Sequence, residues 1–457
     1  MSSRLEHISP PEPVPQITAA SEAKRKLLEK YLRGEATQTL SPRQDIPRRD
    51  PATKAQLSFA QERMWFLDQL MPGSPVFNVP MAVRLSRPIK LEALQLSVNE
   101  IVRRHETLRT SFVTIDGEPS PIVSSKTETN ICVIDLTGDD PATAESKSRI
   151  LIEQEALHPF DLSRGALIRP ALIRIDEVNS IFLVVMHHIV SDGWSLLLFF
   201  KELAELYERF ANHDHTELPN LTIQYADYAD WHRNWLQDEL IEQQLGYWKK
   251  QLAGELPVLD LPTDRVRPAM QTYAGAREVS ALPAEVTQSL VSLSQREGAT
   301  PFMTVLAAFN LLLQRLSGQE DIIVGSPIAN RPRTETENLI GLFLNNLALR
   351  TDLSGNPTFL ELLSRARQTA LDAYANQDVP FEKLLEELKP ERDLSRTSIF
   401  QVYFNLFSFS ERVQLPGGGA VNFFDAWLQS EETLSKFDLT LYAGIDNDQL
   451  KIGRAHV

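Results

Sequence analysis

The apolar positions of the chain follow two periods, and their alternation along the sequence predicts a mixed α/β fold. In the first half, spacings of three and four mark helices at 60–69, 90–105, 144–157 and 194–210. Strand-like runs fall at 111–115, 131–134, 167–175 and 180–189. The strongest helix repeats Leu196, Phe199, Phe200, Leu203, Leu206, Tyr207 and Phe210 along one face. A polar, proline-containing stretch at 212–219 reads as a linker between lobes. The second half predicts helices at 225–252, 284–297, 301–317, 359–376 and 380–388, and strands at 277–280, 321–326, 345–350, 399–406 and 435–445. Each half mixes helices and strands in a similar order, so the expected architecture is two related α/β lobes around a shared cleft.

Both ends differ from this body. Residues 1–51 are polar and broken by Pro10, Pro11, Pro13, Pro15, Pro42, Pro47 and Pro51. One helical island, 22–33, gathers Leu27, Leu28, Tyr31 and Leu32 on one side. Alone it is too short to be stable in water. It reads either as a tethered helix that docks on a partner or as a lead-in helix packed on its own domain. The last residues, Ile452 to Val457, read as the in-frame translation of a sequencing-adapter oligonucleotide, with a genuine short C-terminus as the alternative, and are set aside from fold reasoning. The expected organisation is therefore an arm at 1–51, a first lobe at 52–215, a second lobe at 216–451 that lacks its closing strand and helix, and a tail at 452–457.

Composition narrows the classes. The 457 residues carry 46 Lys+Arg against 61 Asp+Glu, a net charge of −15. That acidic balance argues against nucleic acid and anionic membranes as main partners. A lone cysteine, Cys132, excludes a disulfide framework and a Cys-rich zinc site, and fits a reducing, cytoplasmic setting. The longest apolar runs, Ile181–Met186 and Leu196–Phe200, fall far short of a membrane span. Met1–Ser9 carries no apolar stretch of the secretory kind.

Candidate chemistry concentrates in one segment, Met186-His187-His188-Ile189-Val190-Ser191-Asp192-Gly193-Trp194-Ser195. An apolar strand runs into two histidines, a turn and then the strongest helix. Side chains alternate along a strand, so His187 and His188 face opposite ways and do not share a metal ion. Asp192 and Gly193 sit where the strand turns into the helix. Gly193 permits close backbone approach, and free N–H groups at a helix start favour negative charge. The segment thus offers a titratable imidazole, an anchoring carboxylate and anion-stabilising amides.

His187-His188-x-x-x-Asp192-Gly193 resembles the active-site motif of condensation domains of non-ribosomal peptide synthetases, which belong to the chloramphenicol-acetyltransferase-like acyltransferases. Six further stretches resemble that family's motifs in order. They are Ser58 to Trp65 (with Arg63), Arg104 to Phe112, Tyr225 to Trp231, Ile340 to Leu347 (with Asn345, and with Asn346 where threonine is usual), Asn376 to Glu382, and Arg392 to Arg396. The likeness covers residues 57–451. Within it, Arg104, His105 and Arg109 read as fixing a helix–strand junction of the first lobe, Trp231, Trp235 and Trp248 as core or lobe-contact residues, and Pro380 as the first residue of a helix.

The resemblance implies a V-shaped pseudo-dimer of two chloramphenicol-acetyltransferase-like lobes with a central cleft. It implies amide formation between a donor acyl or peptidyl thioester and the amine of an acceptor aminoacyl thioester. Each substrate rides on the phosphopantetheine of a carrier protein, and the domain binds no cofactor or metal of its own. The partners implied are an upstream donor carrier, arriving in trans if Met1 is the start, and a downstream acceptor carrier, with an adenylation domain following. His188, Asp192 and Gly193 become the catalytic candidates. His187, Ser191, Trp194, Arg331, Arg63 and Asn345 are supporting ones. His188 serves as general base or as a group that positions the amine; both roles stay open. Asp192 is expected to pair with an arginine of the second lobe, Arg331 first and Arg350 in reserve. The first motif, running on to Gly73-Ser74-Pro75, resembles the subtype that joins an L-configured donor to an L acceptor. Other readings are a starter domain that takes a fatty acyl donor, a stand-alone acyltransferase using acyl-CoA, and a non-catalytic module that recruits a partner.

Overall fold

Two separate sheets organise the chain, and strand burial explains each of them. The computed structural model describes residues 45–456 apart from 51–52, 127, 215, 237–238, 332, 392, 408–411, 423–433 and 447–448. The helical island at 22–33 and Arg392 lie outside the described residues.

In chain order the first half runs α1 (Phe59–Leu70), β1 (Asn78–Ser86), α2 (Leu91–Arg104), β2 (Thr110–Ile115), β3 (Glu118–Val123), β4 (Cys132–Asp135), α3 (Pro141–Leu157), β5 (Ile168–Arg174), β6 (Asn179–His187) and α4 (Gly193–Ala211). Its main sheet has four strands in the order β1-β6-β5-β4, with β2 and β3 forming a separate hairpin. β6 runs antiparallel to both of its neighbours. Phe182, Val184 and Met186 enter the core that α2 and α4 share, while Ile181, Leu183 and Val185 face the other side, where α3 packs. A strand covered on both faces reads as an unbroken apolar run, which is why 181–186 shows no alternation. Each fully buried leucine or phenylalanine in such a layer contributes about 1.5–3 kcal/mol.

The second half runs α5 (Tyr225–Trp235), α6 (Glu239–Gln251), β7 (Ala276–Ala281), α7 (Ala284–Arg296), α8 (Pro301–Ser317), β8 (Asp321–Ile328), α9 (Thr334–Glu337), β9 (Asn345–Asp352), α10 (Phe359–Ala375), α11 (Phe381–Leu388), β10 (Val402–Phe407), β11 (Arg412–Gln414), β12 (Ala420–Asn422), β13 (Leu439–Asp446) and β14 (Gln449–His456). Six strands form the sheet β7-β14-β13-β10-β8-β9, and β11 pairs with β12. Val413 and Leu415, on and just after β11, are buried in the core of the first lobe. The antiparallel register of β8 with β9 sets Ile328 opposite Asn345. The residues after β8 and those before β9 therefore emerge at the same end of the sheet.

Several expectations are corrected. The helix expected at 225–252 is two helices, because its faces serve different cores. Tyr225, Tyr228 and Ala229 pack with Ile46, Leu221 and Phe343, whereas Ile241 and Trp248 join the core of the second sheet. β1, β3, β11 and β12 were not expected; Pro80, Pro119 and Pro121 mask the first two. β1 is an edge strand and β3 pairs only with β2, where proline is tolerated. Pro380 caps α11 rather than opening it. Residues 46–49, expected in the arm, pack on the second lobe. Ile46 is buried, the Arg48 guanidinium donates to the Leu221 carbonyl at 2.8 Å, and the Arg49 N–H donates to Asp227 Oδ1 at 3.0 Å. The last residues, set aside from the fold reading, pair in the sheet. Through His456 they continue β14, paired with β13 on one side and β7 on the other, in the place where a closing strand was expected to be missing. Strand pairing uses main-chain groups that every non-proline residue supplies. Among the described residues no single helix is long and apolar enough to cross a membrane.

Candidate active site

β6 ends at His187, residues His188–Val190 make a 3-10 turn, and Asp192 caps α4. Strand parity turns His187 to the α3 side, where its ring meets Phe160 at 6.0 Å and Phe77 at 6.3 Å, both edge-on. The Ile189 N–H donates to His187 Nδ1 at 3.1 Å, so that nitrogen holds a lone pair and the proton sits on Nε2. His188 is the reverse. Its Nδ1 lies 2.7 Å from the Ser191 carbonyl, which only accepts, so Nδ1 carries the proton and Nε2 is the free base. His187 is buried, whereas His188 keeps part of its surface accessible.

Burial pushes both imidazoles down, His187 to about 3 and His188 to about 4. The positive charge of Lys436 adds to the fall in both, and its ammonium lies 5.5 Å over the Phe77 ring. The bond to the Ser191 carbonyl and the Asp192 charge pull His188 upward without reversing the shift. Both rings are thus neutral near pH 7. Among the described residues no group of three or more His, Cys, Asp or Glu is arranged to hold a metal ion.

Asp192 is buried and saturated with donors. Its Oδ1 accepts from the Ser195 N–H at 2.8 Å and the Ser195 hydroxyl at 2.7 Å. Its Oδ2 accepts from the Phe343 N–H at 3.0 Å, and Arg331 Nη2 lies 3.2 Å from Oδ1. Arg331 follows β8 and Asn330, whose φ of 49° is a left-handed turn that asparagine tolerates. Its other arm donates to the carbonyls of Thr336 and Leu339, and its plane covers Phe343 at 3.9 Å. Trp194 flanks the same guanidinium and donates from Nε1 to the Glu337 carbonyl at 2.9 Å. The reserve candidate, Arg350, pairs with Asp321 instead.

Two glycines have opposite reasons. A Cβ on Gly341 would land 2.0 Å from the Tyr225 ring, so only glycine fits there. Tyr225 in turn donates to the Leu342 carbonyl at 2.5 Å and shares a hydrogen bond with Ser58. A Cβ on Gly193 would meet nothing within 4 Å, and its φ is not left-handed. Neither packing nor backbone strain demands glycine at the start of α4.

The remaining supporting candidates organise the surroundings. Gln61 of α1 donates to the Ile189 carbonyl at 3.2 Å, which ties α1 to the histidine turn. Arg63 pairs with Glu382 at 3.3 Å and lies over Phe381, so it joins α1 to α11. Asn345 donates to the carbonyls of Gln377 and Val379 and accepts from the N–H groups of Asn346 and Phe381. Arg63 and Asn345 thus brace α11. Arg109 stays in the first lobe, bonded to the Ser124 carbonyl. His105 departs from expectation, because besides Glu202 it meets the Ile340 N–H of the second lobe. Lys436 falls within the strand expected at 435–445, but β13 starts only at Leu439, and a strand period carries no sign that its charge lies near the histidines.

A sequence model of the family described as "Condensation domain" matches residues 52–455. A linear gramicidin synthase from Brevibacillus parabrevis is 50% identical over 385 residues, 84% of this chain and 7% of that protein. The chain therefore spans a small part of the relatives it matches. Among solved structures, the X-domain from teicoplanin biosynthesis aligns with a TM-score of 0.80 at 25% identity, over 90% of this chain and 92% of that one. The first condensation domain of the calcium-dependent antibiotic synthetase, solved with a substrate analogue, aligns with a TM-score of 0.74 at 19% identity, over 89% and 92% of the two chains. The chain belongs to the condensation-domain family of non-ribosomal peptide synthetases, acyltransferases that form amide bonds, and it has that family's chloramphenicol-acetyltransferase-like fold.

Proposed function

We propose that this chain joins a donor acyl or peptidyl thioester to the amine of an acceptor aminoacyl thioester, each delivered on the phosphopantetheine arm of a carrier protein. The observation that carries this reading is the tautomer of His188. With Nδ1–H given to the Ser191 carbonyl, Nε2 is an unprotonated acceptor on a residue that is partly exposed. The acceptor amine attacks the donor carbonyl; a C–N bond forms and the C–S bond breaks. The amine proton passes by way of His188 Nε2 to the departing pantetheine sulfur, so atoms and charge balance. Such a neutral base contributes by positioning the amine as much as by taking its proton, because an α-amino group is partly neutral near pH 7.7–8.0. Gly193 leaves the start of α4 free of any side chain, where its N–H can meet the developing oxyanion. Asp192, Arg331, Ser191 and Trp194 hold the turn that carries His188, and His187 packs behind it.

The likeness of Leu67 to Pro75 to the first motif of L-donor, L-acceptor domains supports that subtype. The intact histidine turn supports a working enzyme over a partner-recruiting module. The test is amide formation between two loaded carrier proteins. His188→Ala should abolish the product while the protein folds normally. An undiminished product would overturn the assignment of His188, and transfer from acyl-CoA to a soluble acceptor would favour the stand-alone acyltransferase reading.

A further inference from the structure

The loop before β9 offers its amides to the first lobe in sequence. The Ile340 N–H meets His105 Nδ1 at 3.4 Å, the Gly341 N–H meets Ser195 Oγ at 3.0 Å, and the Phe343 N–H meets Asp192 Oδ2 at 3.0 Å. The last two acceptors belong to the histidine-turn segment and α4. The first stands at the end of α2, and its other nitrogen, Nε2, lies 2.9 Å from Glu202 Oε2 on α4. Arg104 takes the second carboxylate oxygen, donating from Nε to Oε1 at 3.0 Å. His105 and Glu202 are both buried. Burial pushes the Glu202 carboxyl up, but the bonds from His105 and Arg104 outweigh it and hold it below the usual carboxylate range.

We infer that Glu202 fixes the tautomer of His105 so that Nδ1 stays an acceptor for the Ile340 N–H, which makes His105 and Glu202 positioning residues for the loop that holds Asp192. A carboxylate only accepts, so it draws the single imidazole proton to Nε2 and leaves the lone pair on Nδ1 facing the second lobe. The other tautomer would set N–H against N–H in a buried space, which costs the full desolvation of a polar group. The chain of consequence runs from Glu202 through His105 and the loop to Phe343, whose amide holds Asp192 and so the histidine turn.

Glu202→Gln tests the idea at nearly constant shape. An amide offers one accepting oxygen, and Arg104 can only donate, so the oxygen stays with Arg104 and the amide N–H turns to His105. The nitrogen spectrum of 15N-histidine-labelled full chain, with the His105 signals assigned by their loss in His105→Gln, should give Nδ1 bare and Nε2 protonated. In Glu202→Gln the two should exchange. The inference rests on the proposed condensation reaction only for its kinetic arm. There, kcat of Glu202→Gln and of His105→Leu should fall roughly tenfold to a hundredfold with little change in KM. His105→Gln, which offers a donor and an acceptor at similar spacing, should recover most of the loss. A native His105 protonated on Nδ1, an unchanged tautomer in Glu202→Gln, or a Leu variant as active as the Gln variant would each overturn the inference. The spectrum needs no substrate and no variant that folds poorly. An unmodified protein that forms no amide but shows the expected spectrum would count against the condensation reading alone.

Discussion

Arg331, just past the end of a second-lobe strand, places its guanidinium 3.2 Å from the carboxylate of Asp192, the cap of the helix that follows the paired histidines. Both side chains are 3% exposed, so this is a buried ion pair that joins the lobes behind the histidine turn. Removing one member of such a pair strands a charge in the interior.

Asp192→Ala should therefore lose stability, by about 3–5 kcal/mol, together with activity. Urea unfolding followed by fluorescence measures the first and product formation the second. A variant of unchanged stability with no activity would give Asp192 a direct part in the chemistry.

Gly193→Ala separates packing from chemistry. Space is free for the added methyl, so unfolding midpoints should match those of the native protein. The amide rate should still fall, roughly tenfold to a hundredfold, as substrate is displaced by about 1 Å. Equal rates for the two proteins would remove Gly193 from the reacting centre.

The pH profile should report the acceptor rather than His188. His188 is held at about 4, so it is already neutral across the range where an α-amino group, near 7.7–8.0, gains its proton as pH falls. The acid limb of kcat/KM should then move with the basicity of the acceptor amine when two acceptors are compared. A limb fixed near pH 6.5 for both would mean that His188 titrates as an ordinary imidazole.

His232 should govern part of the acid sensitivity of the fold. Its ring stacks on Tyr228 at 5.1 Å, and burial drives it down to about 3 from an ordinary 6.5. Between those values the unfolded chain binds a proton that the folded one refuses. Stability is thus complete above pH 6.5 and is lost as pH falls toward 3, by about 1.4 kcal/mol per unit. His187 and His188 add losses of the same sign. His232→Phe keeps a ring in the stack and should reduce proton uptake on unfolding by nearly one at pH 5 and by only about a quarter at pH 7. Denaturation curves at the two pH values give the slope, and an unaltered slope would refute the assignment.

The histidine turn, the Asp192 cap and the Arg331 partnership were legible in the letters, as was the amphipathic helix that carries them. Strand parity holds for His187, which shares the α3 side with Leu183 and Val185, but it does not extend to His188, which lies past the strand in the 3-10 turn. What stayed hidden depends on contacts distant in sequence. Lys436 acts on residues about 250 positions away, a proximity that the strand period expected at 435–445 does not carry. The role of Gly341 is visible only once Tyr225 stands 2.0 Å from its missing Cβ. The break at Leu236 was obscured because both helices are amphipathic and differ only in which core they face. The reach of His105 into the second lobe has no sequence signature, since the group it meets is a main-chain N–H.

The hairpin formed by β11 and β12 has a practical consequence for recombining such synthetases. Val413 and Leu415 complete the first-lobe core, although they come about 200 residues after that lobe's last helix. A chimera cut in the 212–219 segment would import a foreign hairpin into the host's interior, and a fragment ended there would leave a hydrophobic gap. Grafts that keep 412–422 with the parent of α4 should express as soluble protein where the simple two-part exchange does not.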